Sequence, residues 1–539
     1  MAHSAQLRWY PISFAVAVLV LLPLSVLVLS WGEVDGEIWT HLWDTQMPRL
    51  LSNTLVLVLG VSVGVTLLGV SLAWLTSLCD FPGRRWLDWA LMLPFAIPAY
   101  VLAFVFIGLF DFAGPVQSLL REWFGSGLRL PRVRSTGGVI LVLVLVFYPY
   151  VYLLARSAFL AQGKGLMEAA RVLGQSPWQA FWRVGLPMAR PAIGAGLALA
   201  VMETLADFGA VAVFNFDTFT TAIYKTWYGF FSLASAAQLA SLLLLGVCLV
   251  LYGERRARGA SRPASERPRG KALYPLKGVK ALAASTWCGL IFACAFVIPV
   301  LQLLVWFWQR GRFDLDERYA GLILHTLYLG GMAALITVCV ALLLAFARRL
   351  APTRPVRAAV GLANVGYALP GSVLAVSIML AFSYLDTHLV IPLSSWLGGA
   401  GKPLLLGSLL ALLLAYLVRF MAVAYGPLEG SLARIRPSLP EAARSLGVGG
   451  SGLFFRVYVP LLVPGALSAA LLVFVDVLKE MPATLLMRPF GWDTLAVRIF
   501  EMTSEGEWAR ASLPALTLVL VGLLPVISLI RRSARRIGH

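Results

Sequence analysis

The chain has 539 residues, 59% of them hydrophobic and 13% charged, a composition that excludes a soluble globular fold and describes an integral membrane protein. A net charge of +18 would direct a soluble protein to nucleic acid, but here the basic residues cluster in short loops and tails, where they set membrane orientation; nucleic acid is excluded as a partner. Five cysteines, Cys79, Cys248, Cys288, Cys294 and Cys339, lack CxxC spacing and imply neither a disulfide framework nor a thiolate metal site.

Arg8 precedes an apolar run over 12–29 that is long and has no A-x-A cleavage pattern after it, so it reads as a retained membrane helix rather than a signal peptide. Further runs long enough to span follow at 54–75, 89–110, 138–160, 191–208 and 234–251. A second set of six lies at 287–307, 326–346, 360–382, 403–424, 464–478 and 513–530. The expected fold class is all-α: a polytopic membrane protein of about twelve transmembrane helices in two tandem six-helix repeats. The first half covers 1–252 and the second 281–539, joined over 253–280 by a flexible cytoplasmic linker with nine Lys and Arg. That linker and the tail arginines Arg531, Arg532, Arg535 and Arg536 place both termini in the cytoplasm, and Glu33, Asp35, Glu37 and Asp44 place the first loop outside. The loop with Arg121, Arg129, Arg132 and Arg134 also falls outside, against the charge rule. Pro94, Pro98 and Pro370, with Gly371, are expected to bend the third and ninth spans.

The halves are copies. "NTL" at 53–55 returns as "HTL" at 325–327, and "FAIPAYVLA" from Phe95 returns as "YALPGSVLA" from Tyr367, each 272 residues on; Glu168 returns as Glu441, 273 on. Tandem repeats in one orientation line a common pathway.

Between the fourth and fifth spans of each half lies a polar stretch, EAARVLGQSPWQAFWRVGLP over 168–187 and EAARSLGVGGSGLFFRVYVP over 441–460. In the first, good helix formers lead to Gly174, which closes a helix, and Ser176-Pro177 supplies an N-cap with proline at the first helical position. In the second, Ser438 to Glu441 has capping-box spacing, Gly447 stands at the helix end, and Gly449, Gly450 and Gly452 loosen the turn. Two such helices at matched positions suit another protein's groove better than lipid headgroups, with Leu166, Met167, Trp178 and Phe181 as the buried side chains.

The span after each loop carries two acids four residues apart, Glu203 with Asp207 and Asp476 with Glu480, a spacing that puts each pair on one helical face. Carboxylates at that depth are costly against lipid and turn to the interior. They form a candidate cation pathway, or pair with Lys479, Lys225 or Arg488 to hold the protein together. His41, His325 and His388 are scattered without motif spacing, and no metal site is assigned.

Both polar stretches resemble the EAA loop of ATP-binding-cassette importer permeases, E-A-A-x3-G-x9-[I/V]-x-[L/V]-P. Glu168, Ala169, Ala170, Gly174, Val184, Leu186 and Pro187 match in the first; Glu441, Ala442, Ala443, Gly447, Val457 and Pro460 match in the second, with Val459 for the usual leucine. The segments ETLADFGAVAVFNFDTFTTAIYKTWY and VLKEMPATLLMRPFGWDTLAVRIF are similar to those of fused, twelve-helix ferric-iron permeases, and the likeness runs from the "NTL" helix to the last span. The resemblance implies a type I importer fold in a bacterial inner membrane, with the EAA loops as coupling helices on two copies of a separate ATPase. ATP and magnesium then belong to that partner. It also implies ferric iron as cargo and a periplasmic binding protein as its source, for which Arg121, Arg129, Arg132 and Arg134 are candidate docking residues.

No catalytic residue or cofactor is expected in this chain. Gly270-Lys271-Ala272 and Gly401-Lys402-Pro403 lack the Ser or Thr of a Walker A motif, and no HExxH is present. Thiamine, polyamine, sulfate and phosphonate permeases of the same family are the alternatives. A major-facilitator-type secondary transporter, echoed weakly by LCDFPGRRWLD over 78–88, is the alternative from another class.

Overall fold

The computed structural model describes residues 9–125, 131–258, 274–397, 401–436 and 438–537. Among them, twelve helices are long and apolar enough to cross a membrane: Trp9–Gly32, Gly36–Leu78, Ala99–Phe124, Thr136–Leu160, Pro177–Ala206, Leu233–Gly253, Val279–Gln309, Glu317–Leu350, Gly371–Trp396, Leu409–Arg434, Phe454–Lys479 and Trp508–Ile527. They are numbered as spans one to twelve. In hydrocarbon no water is present to take up a free N–H or C=O, so a chain this apolar satisfies its backbone within helices.

Two spans begin later than hydropathy alone predicts. The run over 89–110 is a short helix Arg84–Ala90, a tight turn Leu93–Ala96, and then a membrane helix from Ala99 with Pro98 as its N-cap. The run over 360–382 repeats this with Arg354–Ala363, Val365–Ala368 and a helix from Gly371 capped by Pro370. Proline, with its fixed φ and missing N–H, is tolerated at a helix start. The bends expected from Pro94, Pro98, Pro370 and Gly371 are thus corrected to helix starts. Prolines within helices are Pro23, Pro149, Pro191, Pro427, Pro464, Pro514 and Pro525.

The helices pack into two compact units, and neither is a contiguous half of the sequence. One comprises Met1–Trp39, Ile223–Ser241 and Glu317–Val497; the other Thr40–Ala222, Leu242–Asp316 and Arg498–His539. In the first unit, span one lies against spans eight and nine and the helix Arg354–Ala363, burying Ser13, Ala17, Val20, Pro23 and Leu27 while Phe14, Val18 and Leu22 stay exposed. Gln238 ties the start of span six to the end of span one, its Nε2 donating to the carbonyls of Ser30 (2.7 Å) and Glu33 (3.1 Å). In the second unit, Phe104 of span three stacks on Trp306 of span seven at 6.1 Å and on Trp508 of span twelve at 6.2 Å. The contiguous division at 252 and 281 is a division of the sequence and not of the packing. A span that is apolar all round carries no local mark of which bundle it joins.

The linker is held at both ends. Span six continues as helix to Arg258, residues 259–273 lie outside the described set, and Tyr274–Pro275 pairs in parallel with Cys79–Asp80. Tyr274 is buried and stacked on Trp74 with centroids 6.0 Å apart. Flexibility expected over the whole of 253–280 is corrected at these ends, because the buried ring and strand pairing fix the chain there. Beside this pairing, burial pushes the Cys79 thiol up to about 11, so it stays protonated and inert.

Spans two and four meet through glycine. A Cβ at Gly60 would sit 2.5 Å from Ile140, one at Gly64 would collide with Val144, and one at Gly69 would sit 2.7 Å from Val151, the close backbone approach typical of small residues in membrane helices. Gly64→Val is expected to destabilise the purified protein by about 1–3 kcal/mol, the cost of overpacking. The check is a lowered unfolding midpoint in detergent, with Gly194→Val, where a Cβ meets open space, as the control.

Candidate coupling loops and transmembrane acids

In the first half the fourth span does not stop at the membrane surface. A single helix Thr136–Val172 of 37 residues is about 55 Å long at 1.5 Å per residue, against a hydrocarbon core of about 30 Å, and its last turn carries Ala169 and Ala170. Gly174 ends it at φ +77°, and the N–H of Gln175 returns to the carbonyl of Ala170 at 3.0 Å, the closing bond of a Schellman motif. Ser176 restarts the chain: its Oγ accepts the N–H of Gln179 (3.3 Å), and the Gln179 side chain accepts the N–H of Ser176 (3.1 Å). The N-cap at Ser176 was legible in sequence; its reciprocal partner three residues on completes a capping box.

The second loop closes the same way. Gly447 has φ +81°, and the N–H of Val448 bonds the carbonyl of Ala443 at 2.9 Å. The second alanine of both motifs therefore supplies the closing carbonyl, and the motif glycine takes the left-handed conformation that a Cβ disfavours. Here the EAA helix is separate, Ser438–Ser445, because the sequence has a proline at 437 that cannot continue span ten. Ser438 is the first residue of this helix rather than its cap, which corrects the capping box expected with Glu441. Pro187 and Pro460 each fall in the first turn of the following helix. Both copies carry a π-helical turn just before it, Phe181–Gly185 and Phe454–Tyr458, 273 residues apart.

The loops present apolar side chains to solvent. Leu173 and Leu446, the residues before each motif glycine, are 80% and 84% exposed, and Trp178 and Phe455 are also exposed. Glu441 and Ala442 are exposed, Ala443 half-buried and Ala170 buried. The side chains of Glu168, Leu166 and Met167 lie outside the described set. Phe181, expected in a partner's groove, is half-buried and packs 4.8 Å from Trp74. Leu173 and Leu446 stand at the same step of both repeats.

The acids do something that helical spacing does not predict. The helix Leu186–Ala206 contains Glu203 and ends at Asp207, which is extended at ψ 126°; the helix Val459–Lys479 contains Asp476 and ends at Glu480 at ψ 109°. Neither pair therefore continues along one helical face. At each break the second acid caps the short helix that follows: Asp207 accepts the N–H of Val211 at 3.1 Å, and Glu480 accepts that of Ala483 at 3.3 Å. A threonine hydroxyl takes the freed carbonyl, Thr220 donating to Asp207 O at 2.7 Å and Thr484 to Glu480 O at 2.6 Å. Backbone groups released within the membrane are thus re-satisfied twice by the same pair of residue types.

Charge is not repeated. Glu480, 6% exposed, is ion-paired with Nε of Arg419 at 3.0 Å, and Arg419 donates from Nη1 to the carbonyl of Leu369 at 2.7 Å. Gly371 is pressed against the same carboxylate, leaving no room for a Cβ. Lys479 and Arg419 both act electrostatically on Asp476. In the other half the position 272 residues before Arg419 is Phe147, and among the described residues Asp207 has no ion pair; Glu203 and Asp207 are half-buried. Sequence reading weighed Lys479, Lys225 and Arg488 as partners and missed Arg419, whose signal was a lone arginine inside an apolar span. Arg488 pairs with Asp493 at 2.8 Å.

Arg121 is spent within its own chain, donating to Phe112 O at 2.7 Å with its guanidinium 4.2 Å over the Phe112 ring. Arg132 and Arg134 are exposed, Arg134 lying 5.9 Å over the ring of Trp508; Arg129 falls outside the described residues. His325 stacks on Trp492 and His388 on Tyr384.

Arg419→Met strands Glu480 in a buried site and is expected to cost about 3–5 kcal/mol, whereas Arg419→Met combined with Glu480→Gln costs less than that single change. Unfolding midpoints of the two single variants and the double variant test this; additive losses would refute the coupling.

Residues 65–258 and 337–539 each match the family described as binding-protein-dependent transport system inner membrane component. The chain is 28% identical over 498 residues, 90% of both chains, to the Fe(3+)-transport system permease protein FbpB 2 of Haemophilus influenzae. It is 28% identical to the sulfate transport system permease protein CysT of Escherichia coli over 44% of this chain and 86% of that one. It is 32% identical to the molybdenum transport system permease protein ModB of Escherichia coli over 27% of this chain and 62% of that one. The tandem match removes the major-facilitator alternative. With twelve membrane-length helices and the family domain present twice, the chain belongs to the binding-protein-dependent inner-membrane transport components, as a fused two-domain permease of the ATP-binding-cassette importers.

Proposed function

We propose that this permease imports ferric iron, or a closely related cation, by alternating access driven from outside the chain. Two ATPase subunits that carry ATP and magnesium seat on the loops 168–187 and 441–460, and a periplasmic binding protein delivers the ion to the opposite face, with Arg132 and Arg134 available to its acidic residues. Both termini lie in the cytoplasm in this reading, the side to which the long helix Thr136–Val172 projects.

The observation that carries it is the pair of EAA loops, each ended by the same bond to its second alanine and each presenting an exposed leucine, a form suited to a groove on a partner. For the cargo the support is the match to a ferric-iron permease along 90% of both chains. Electrostatics adds less than the residue count implies, since Arg419 neutralises Glu480. Glu203 and Asp207 are the carboxylates proposed to meet the ion. Sulfate is the second reading, favoured by the CysT match and by the half-buried Arg419.

The test is uptake into vesicles holding the permease with its ATPase and binding protein. ATP-dependent entry of radioactive ferric iron, without entry of sulfate or molybdate, is the expected result; entry of sulfate instead would overturn the cargo. A lost contact to a charged group is worth about 1.5–3 kcal/mol, so Glu203→Gln with Asp207→Asn is expected to lower iron uptake about tenfold or more while ATPase binding persists. Unaltered uptake would remove both acids from the pathway.

A further inference from the structure

Directly behind each coupling loop, a ring from span two or span eight meets the π-helical turn. In the first half Trp74, near the cytoplasmic end of span two, meets Phe181 edge-on with centroids 4.8 Å apart and planes at 71°. In the second half Phe346, 272 residues on, meets Phe454, the residue 273 beyond Phe181, at 5.5 Å and 54°. Each clasp is braced on its other sides. Trp74 also meets Phe159 of span four at 5.6 Å and Tyr274 of the linker at 6.0 Å. Phe346 also meets Tyr458 at 5.3 Å, and over Tyr458 lies Arg349, 5.7 Å from its ring, which donates to the carbonyls of Leu432 and Ile435 at the end of span ten.

The π turn makes this contact more than packing. A five-residue turn interrupts the regular ladder between each loop and the span that follows, so the backbone route out of the loop passes through a locally altered helix. The aromatic ring offers a second route, sideways into span two or span eight. One ring contact is edge to face and the other tilted, and each joins its turn directly to that span.

We propose that Trp74 and Phe346 are positioning residues for coupling: each keeps its EAA loop in register with span two or span eight, so that movement of the loop moves that span. The proposal rests on the reading that the EAA loops dock an ATPase. It predicts that the clasps stay closed through the transport cycle.

The experiment uses the full chain reconstituted with its ATPase and binding protein, and measures both co-purification of the ATPase and solute transported per ATP hydrolysed. Trp74→Leu and Phe346→Leu, tested singly, are expected to retain the ATPase while transport per ATP falls about fivefold, within the range of residues that carry coupling. Trp74→Phe and Phe346→Tyr keep a ring and are expected to recover most of it. Transport per ATP equal to the unsubstituted protein in both leucine variants overturns the proposal and leaves the docking reading standing. Failure of the unsubstituted chain to retain the ATPase overturns both. Should a leucine variant not accumulate in membranes, a chain with its five cysteines replaced and carrying Trp74→Cys and Phe181→Cys decides the matter. Bridging the two thiols with a short linker is expected to preserve transport, and arrest by the bridge overturns the proposal.

Discussion

The governing constraint is that hydrocarbon offers no hydrogen bonds. A chain in which 59% of residues are hydrophobic gains by entering the bilayer, but every peptide group it takes along needs a partner, and a helix supplies one locally. Where a helix stops inside the membrane, something else must supply it. Asp207 and Glu480 are the answer at two such stops, each accepting an N–H of the next short helix while a threonine hydroxyl takes the residue's own carbonyl. These acids are part of the architecture before they are part of any pathway.

The same accounting holds where helices emerge into water. A helix end leaves carbonyls without intrahelical partners, and at both EAA loops the carbonyl of the second alanine is taken by the residue after a positive-φ glycine. The chain then turns sharply, and the leucine before the glycine is left at the tip. The family motif thus has a mechanical content: the alanine-to-glycine interval fixes where the helix closes, and closure exposes the apolar residue that a partner would cover. The first loop begins as a continuation of span four and the second as a separate helix, where the sequence has a proline at 437.

Spans, repeat and loops were legible because each is written in local sequence: hydropathy over about twenty residues, residue identity at a fixed interval, and glycine where φ must be positive. What sequence did not reveal depends on contacts far along the chain. Span one joins the unit built from Glu317–Val497, and its stripe of Ser13, Ala17, Val20 and Leu27 has the same apolar character as any lipid-facing stripe. Arg419 meets Glu480 across two spans, and only the cost of leaving either buried alone marks them as a pair. The helix breaks at Asp207 and Glu480 were missed for a different reason: four-residue spacing of acids reads as one helical face, which outweighed Pro482 two residues after Glu480 and had no opposing proline in ETLADFG.

Duplication of the backbone without duplication of charge has a consequence for how the two acid pairs can act. At the second break a carboxylate is held by a guanidinium that is itself fixed to Leu369 O, so the ion pair is neutral and geometrically determined. At the first break the position 272 residues before Arg419 in the sequence is Phe147, and Asp207 accepts the N–H of Val211 while remaining half-buried. A charged group at membrane depth costs roughly 2.5–3.5 kcal/mol even on the lenient insertion scales, and Arg419 offsets that cost for Glu480. The pairing that fixes Glu480 therefore has no counterpart at Asp207 among the described residues, and the duplicated backbone carries two different electrostatic settings.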